Sequence, residues 1–368
     1  MKLSLGEMAP QDPDYSALKT AYARYREIAA KGGWPTVPTK PGPERDAALH
    51  ARLDAELAAD SIGVPQGDSA AAVPIPAAPA DTTAKAAPVA HGTDQSLKAE
   101  LKGFQERHGL DRTGVLDKPT IEEINVSAAD RARQIAANLE RHRWLPRQLG
   151  SRYIYVNVPA FRLDAYDSGQ KQLTMRVVVG AEYEGKNTPV FSDSMETVVF
   201  RPYWNITPDI QAREVGPKAA EDPGYLARNN MEYYKDGGET RIRQLPGEKN
   251  SLGLVKFLFP NSFNIYLHDT PAKTLFQQTN RAASHGCIRL EKPAELAQWV
   301  LGWDAGQVES AMHGSDNRSV RVPRKIPVYI VYFTTYVRDG RLYFGDDIYG
   351  RDQALVKQVA SAVAPSAS

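Results

Sequence analysis

Apolar residues recur at three- and four-residue spacing along the N-terminal part of the chain, then change to near-alternation beyond Gly150. Tyr15, Leu18, Tyr22, Tyr25 and Ile28 predict a helix that Gly32-Gly33 and Pro35 end. Leu49, Leu53 and Leu57 predict a second helix after the Pro41-Gly42-Pro43 break, and Leu97, Leu101 and Phe104 a third. A turn at 111–114 leads to a short helix over 120–124 and a longer one over 128–144, closed by Pro146. The later runs are β-branched or aromatic and bounded by Gly, Pro, Asn and Asp. They predict strands around Tyr153, Tyr155 and Val158, then over 175–179, 197–200, 265–267, 328–335 and 341–344. Asp339-Gly340 reads as a hairpin turn between the last two, and 293–301 as a helix.

Two intervals break the pattern. Residues 61–96 are Ala, Pro, Thr and Ser with almost no large apolar side chains, too little to offset the entropy of ordering, which predicts a mobile insertion. Residues 211–249 are polar but carry Tyr225, Tyr233 and Tyr234, which predicts an ordered flap.

At 368 residues the chain is long enough for two or three units. A net charge of +1 argues against nucleic acid or an anionic membrane as a bulk electrostatic partner. No stretch approaches the ~20 apolar residues of a membrane span. The opening residues, from Met1 to Tyr15, lack the apolar core of a signal peptide, which leaves a cytoplasmic protein or a removed leader equally open. The single cysteine excludes an intramolecular disulfide; from composition alone it reads as a small buried apolar side chain.

Its neighbours reverse that reading. Cys287 lies in Ser284-His285-Gly286-Cys287-Ile288-Arg289-Leu290, downstream of Tyr266-Leu267-His268-Asp269-Thr270. A thiol nucleophile needs a base or a positive environment to become thiolate, and His268, His285 and Arg289 offer both. Ser284 and Gly286 are small enough to let a carbonyl approach the backbone, whose amides can hold an oxyanion. Strand alternation sets Tyr266 on the face of His268. His50, His91, His108, His142 and His313 lack metal-ligand spacing with any Cys or carboxylate cluster, and no phosphate loop is present.

The Ser-His-Gly-Cys-Ile-Arg core with an upstream strand-end His resembles the L,D-transpeptidase (YkuD) catalytic domain. Phe257-Leu258-Phe259-Pro260-Asn261, Tyr266 to Pro271, and Arg201-Pro202-Tyr203-Trp204-Asn205 resemble its larger, periplasmic YcbB-like branch, in which an inserted subdomain caps the site. Leu101-Lys102-Gly103-Phe104-Gln105, His108-Gly109-Leu110 and the Thr113 to Asp117 turn with Thr120 resemble a peptidoglycan-binding module.

The resemblance implies an α+β fold: a helical scaffold and peptidoglycan-binding-like module, then a β-rich YkuD-type sandwich with a short capping insertion. The expected division is a scaffold segment over 12–43 and the module over 44–127, interrupted by 61–96. A connecting helix over 128–150, the catalytic domain over 151–345 with its flap at 211–249, and a C-terminal helix and tail over 346–368 complete it. The implied reaction is acyl transfer. Cys287 attacks a tetrapeptide donor stem with His268 as base, D-Ala leaves, and an amine of an acceptor stem resolves the thioester as a 3→3 or 1→3 cross-link. Ser284, His285, Gly286, Arg289, Tyr266 and Asp269 are expected to support the site or hold substrate. No cofactor or metal is implied. Donor and acceptor stems are the expected partners, carbapenem-type β-lactams the expected inhibitors, and periplasm or cell envelope the expected location. L,D-carboxypeptidase action or lipoprotein attachment and release fit the same residues, and a non-catalytic wall-binding protein is the third reading.

Overall fold

The structure, a computed structural model, describes residues 10, 13–61, 94–183 and 185–363. The expected mobile insertion lies almost wholly outside them. Its edges are ordered: Ser61 bridges to Arg341, and residues 94–96 open a helix. Among the described residues no helix is long and apolar enough to cross a membrane.

The chain forms two units, one of Met1–Arg147 with Thr334–Ser368, the other of Gln148–Phe333. Residues 334–345, expected in the catalytic domain, therefore belong with the helical unit. The strand expected over 328–335 is really two pieces interrupted at Tyr332, Phe333 and Thr334.

The helical unit contains α1 (Pro13–Ala30), α2 (Pro43–Asp60), α3 (Asp94–Arg107), α4 (Lys118–Ile124) and α5 (Ala128–Arg143). A hairpin, Thr335–Arg338 with Arg341–Phe344, and the helix Asp352–Val363 complete it. The hairpin turn forms because Asp339 and Gly340 both take positive φ. One apolar cluster unites Leu18, Ala21 and Tyr25 of α1 with Ile135 of α5 and Phe344; a second joins Leu49, Leu53, Leu101, Phe104 and Ile124. Leu57 leaves its expected stripe and is exposed. Gln105, fully buried, satisfies a whole turn: its amide nitrogen donates to Thr113, Val115 and Thr120, and its oxygen accepts from the Gly114 amide. The Phe-Gln pair is thus a folding device, one residue filling the core and the next saturating the loop beside it.

Buried charge ties the helices together. Glu56 pairs with Arg52 and with His108 (2.5 Å), His108 reaches Glu123 (2.9 Å), and Glu123 pairs with Arg131. Asp60 accepts from Tyr25 (2.5 Å) and Arg107 (3.1 Å). Glu56, Asp60 and His108 bring their ligand atoms within 4.8 Å of one another, a proximity that sequence spacing hides. Arg52, Arg107 and Arg131 already balance this negative charge.

The second unit contains β1 (Arg152–Asn157), β2 (Arg162–Asp167), β3 (Gln170–Gly180), β4 (Phe191–Phe200), β5 (Trp204–Asn205), β6 (Met231–Asp236), β7 (Glu239–Gln244), β8 (Val255–Leu258), β9 (Leu267–His268), β10 (Ala282–Ser284), β11 (Ile288–Leu290) and β12 (Arg318–Val331), with α6 (Pro293–Leu301) and α7 (Ala305–His313). Nine strands form one sheet in the order β10-β3-β11-β9-β8-β4-β12-β1-β2, and β3 also pairs with β2, so the pairings close on themselves. Ile154, Val156, Leu163, Val177, Val198, Phe257, Leu267, Ile288, Leu290, Val328 and Ile330 are fully buried on it. This is the α+β class that the change of period predicts.

The interval expected as a flap is ordered and begins earlier than residue 211. β5, β6 and β7 make a separate three-stranded sheet. Short helical turns from Pro208 to Glu221 and Tyr225–Arg228 join it around Ile206, Val215 and Ile242. Tyr225 packs on this small core, whereas Tyr233 is exposed, so the tyrosines contribute unequally.

Candidate active site

Three short strands build the site. Lys256 of β8 stands opposite His268 of β9, and His268 stands opposite Arg289 of β11. Directly opposed residues share a sheet face, and positions two apart return to it. Tyr266, His268, Arg289 and Lys256 therefore face one way with Cys287, while Phe257, Leu267, Ile288 and Leu290 point into the core. Contacts agree: the Tyr266 ring lies 5.7 Å from the His268 ring, and Lys256 Nζ sits 5.7 Å from the Tyr266 centroid.

Cys287 ends a turn that its neighbours hold. Ser284 Oγ donates to the Cys287 carbonyl (2.6 Å) and accepts from the Gly286 amide (3.2 Å). Gly286 has φ +110°, and a Cβ there would lie 3.1 Å from Ile265, so glycine suits the position twice over. Its carbonyl accepts from buried Thr188 (2.8 Å), whose oxygen accepts from the Gly180 amide (2.9 Å). The Cys287 amide has no hydrogen-bond acceptor among the described residues and is the donor left for an oxyanion; Gly286 turns its own inward.

The thiol donates weakly to the Asn264 carbonyl (3.7 Å) and is met by the Tyr266 hydroxyl. Asn261 makes that delivery possible. It accepts from the Phe263 and Ile265 amides and donates to the Phe259 and Ile265 carbonyls, closing the loop that carries Asn264. An open groove of about 410 Å³ runs beside Tyr266 and Asn264, walled by Thr197, Leu258, Phe259 and Pro260.

His268 is buried, and its Nδ1 lies 2.5 Å from the Asp269 carbonyl. A carbonyl only accepts, so Nδ1 carries the proton and Nε2 keeps the lone pair. Burial, then the positive charges of Arg289 and Lys256, pull the imidazole pKa down to about 3, against backbone hydrogen bonds that raise it. Burial pushes the Cys287 thiol up to about 11, against the lowering influence of Tyr266, Arg289 and Lys256. The resting pair is thus neutral thiol and neutral imidazole. No hydrogen bond joins Cys287 to His268 in this structure. The two share a face, and the thiol must turn from Asn264 to meet the imidazole.

Other expected residues sit as follows. His285 is exposed, and its Nε2 meets Glu214 (2.6 Å) and Lys186 (2.9 Å), which directs it to the cap rather than to the thiol. Asp269 is a scaffold group: its carboxylate accepts from the Leu254 amide (2.9 Å), the Thr270 amide (2.7 Å) and Lys273 (2.5 Å). A Cβ on Gly253 would lie 2.2 Å from that carboxylate, so the pocket for Asp269 exists only opposite glycine. Arg289 has a buried Nε with no hydrogen-bond partner. Lys256, Thr188, Lys186 and Glu214 were not legible from sequence. Lys256 alone carries a signal, a charged residue alternating with Val255 and Phe257 in an otherwise apolar strand.

Residues 151–330 match the YkuD family, described as the L,D-transpeptidase catalytic domain. A Haemophilus influenzae protein named a candidate L,D-transpeptidase is 31% identical over an alignment of 257 residues, and the match covers 64% of this chain and 50% of that protein. The chain thus spans half the length of that relative. Among solved structures, an L,D-transpeptidase from Stackebrandtia nassauensis is 13% identical, with 81% of this chain and 96% of that one covered and a TM-score of 0.27. One from Xylanimonas cellulosilytica is 15% identical, covering 63% and 78%, with a TM-score of 0.24. With the Ser-His-Gly-Cys turn and the strand-end His on one sheet face, residues 151–330 form an L,D-transpeptidase catalytic domain of the YkuD family.

Proposed function

We propose that this protein is a cysteine acyltransferase that cross-links peptidoglycan stems in the periplasm or cell envelope. The observation that carries the reading is the row formed by Tyr266, His268, Cys287 and Arg289 across β9 and β11, with the histidine tautomer held by the Asp269 carbonyl. His268 Nε2 takes the thiol proton as sulfur attacks the carbonyl of the third residue of a tetrapeptide stem. The Cys287 amide steadies the oxyanion. The amide C–N bond breaks, D-Ala takes the proton from the imidazolium and leaves, and a thioester remains. An amine of the acceptor stem then forms the new amide bond, and the C–S bond breaks to return the thiol. The acceptor is the side-chain amine of its third residue for a 3→3 link, or the α-amine of its first for a 1→3 link. Carbapenems acylate the same sulfur by opening their lactam ring.

In this reading a stem peptide enters the groove beside Tyr266 and Asn264. The test is mass spectrometry of the products that purified protein makes from disaccharide tetrapeptide. D-Ala release with a cross-linked dimer is expected, and neither with Cys287→Ala. Dimer formation that survives Cys287→Ala overturns the assignment.

A further inference from the structure

Lys256 and Arg289 flank His268, one from each neighbouring strand, so the base sits between two cations in a single row. Neither cation has an ion pair or hydrogen bond among the described residues, and the Arg289 Nε is buried without an acceptor. The nearest carboxylate in sequence, Asp269, is held by Leu254, Thr270 and Lys273. Lys256 lies over the Tyr266 ring, whose hydroxyl meets the thiol. Half-buried positive charge without a counter-charge is costly, and a protein keeps it where an anion arrives during function. Burial lowers the pKa of both groups, as expected of cations short of compensation.

We infer that Lys256 is a substrate-binding residue which, with Arg289, receives the terminal carboxylate of the donor peptide. The inference rests on the acyl-transfer reading and adds the group that the site recognises. The carboxylate of the leaving residue is one residue beyond the attacked carbonyl, and a residue spans about 3.5 Å, so a cation beside the nucleophile is within its reach. Its arrival also offsets the positive field that keeps the imidazole weakly basic, so a donor with a free carboxylate strengthens the base that must act on it. A donor blocked at that end does neither.

The test compares a tetrapeptide stem ending in a carboxylate with the same stem ending in a carboxamide, on wild type, Lys256→Met and Lys256→Arg. A hydrogen bond to a charged group is worth about 1.5–3 kcal/mol, or roughly 10- to 100-fold. Wild type should prefer the acid by about that factor, mainly through KM. Lys256→Met should lose most of the preference and Lys256→Arg should keep it. A full preference in Lys256→Met overturns the inference and marks Lys256 as packing for Tyr266. A second measurement needs no peptide: Cys287 is the chain's one cysteine, so the ratio of its alkylation rates by anionic iodoacetate and neutral iodoacetamide reports the local charge. That ratio should fall in Lys256→Met, and Lys256→Gln should repeat the fall. An unchanged ratio overturns the anion site. If no stem is a donor for any variant while the ratio still falls, the acyl-transfer reading fails and the anion site stands.

Discussion

Glu214 of the cap lies 2.6 Å from Nε2 of His285, the residue two before the cysteine; Lys186 donates to Glu214 at 3.1 Å and lies 2.9 Å from the same imidazole nitrogen. That contact turns His285 toward the cap, which favours the proposal of His268 as the base. The pair is about 40% exposed, and exposed ion pairs contribute roughly 0.2–1 kcal/mol. Glu214→Ala and His285→Ala should each slow acylation of Cys287 by no more than about fivefold. Loss of about a hundredfold in His285→Ala, measured by carbapenem inactivation kinetics, would reassign the base.

His268→Ala should behave differently. Removing a general base costs at least about 10²-fold, and a thiol pKa near 11 leaves little thiolate without one. Intact-mass spectrometry should show one carbapenem equivalent on wild type, slow addition on His268→Ala and none on Cys287→Ala.

The pH response follows from a neutral resting pair. An imidazole whose pKa is about 3 stays a proton acceptor well below the ordinary histidine range, so acylation should lack an acid limb near 6.5. Its rate should stay level from about pH 5 to 8. A thiolate–imidazolium pair formed in advance would instead give an acid limb governed by the thiol. Stability carries the same signature. Between 6.5 and 3 the unfolded chain binds a proton at His268 that the folded chain does not. That contribution is therefore full above 6.5 and declines as pH falls toward 3. Replacing His268 with Gln should flatten this slope in denaturant titrations.

In the helical unit, Glu56 is fully buried between Arg52 and His108. Deleting one member of a buried ion network leaves its partners uncompensated, at about 3–5 kcal/mol. Glu56→Ala should lower the urea midpoint of that unit, followed by far-UV circular dichroism. The rate of iodoacetamide addition to Cys287 should not change, since the residue belongs to the other unit.

Along one strand or one helix, period and local chemistry are enough to read structure. The helices of the N-terminal part, the hairpin turn at Asp339-Gly340 and the helix after the cysteine follow from spacing and from Gly and Pro, because each is decided by residues a few positions apart. The Ser-His-Gly-Cys turn is legible for the same reason: the Ser284 hydroxyl closes it within 284–287 by bonding the Gly286 amide and the Cys287 carbonyl.

What lies across strands is decided only by the fold. Lys256 becomes a site residue through its register with His268, and sequence separation says nothing about register. Asp269, beside the base in sequence, alternates away from it into backbone amides. His285, next to the cysteine turn, is claimed by a cap residue. Glu56 and Asp60 come from α2 and His108 from the turn that follows α3, and no local pattern specifies how these pack. Sequence brings the cysteine turn and the strand-end histidine into view because a chemical motif is local. The charges around them are set by non-local pairing, which only the closed sheet and the packed helices determine.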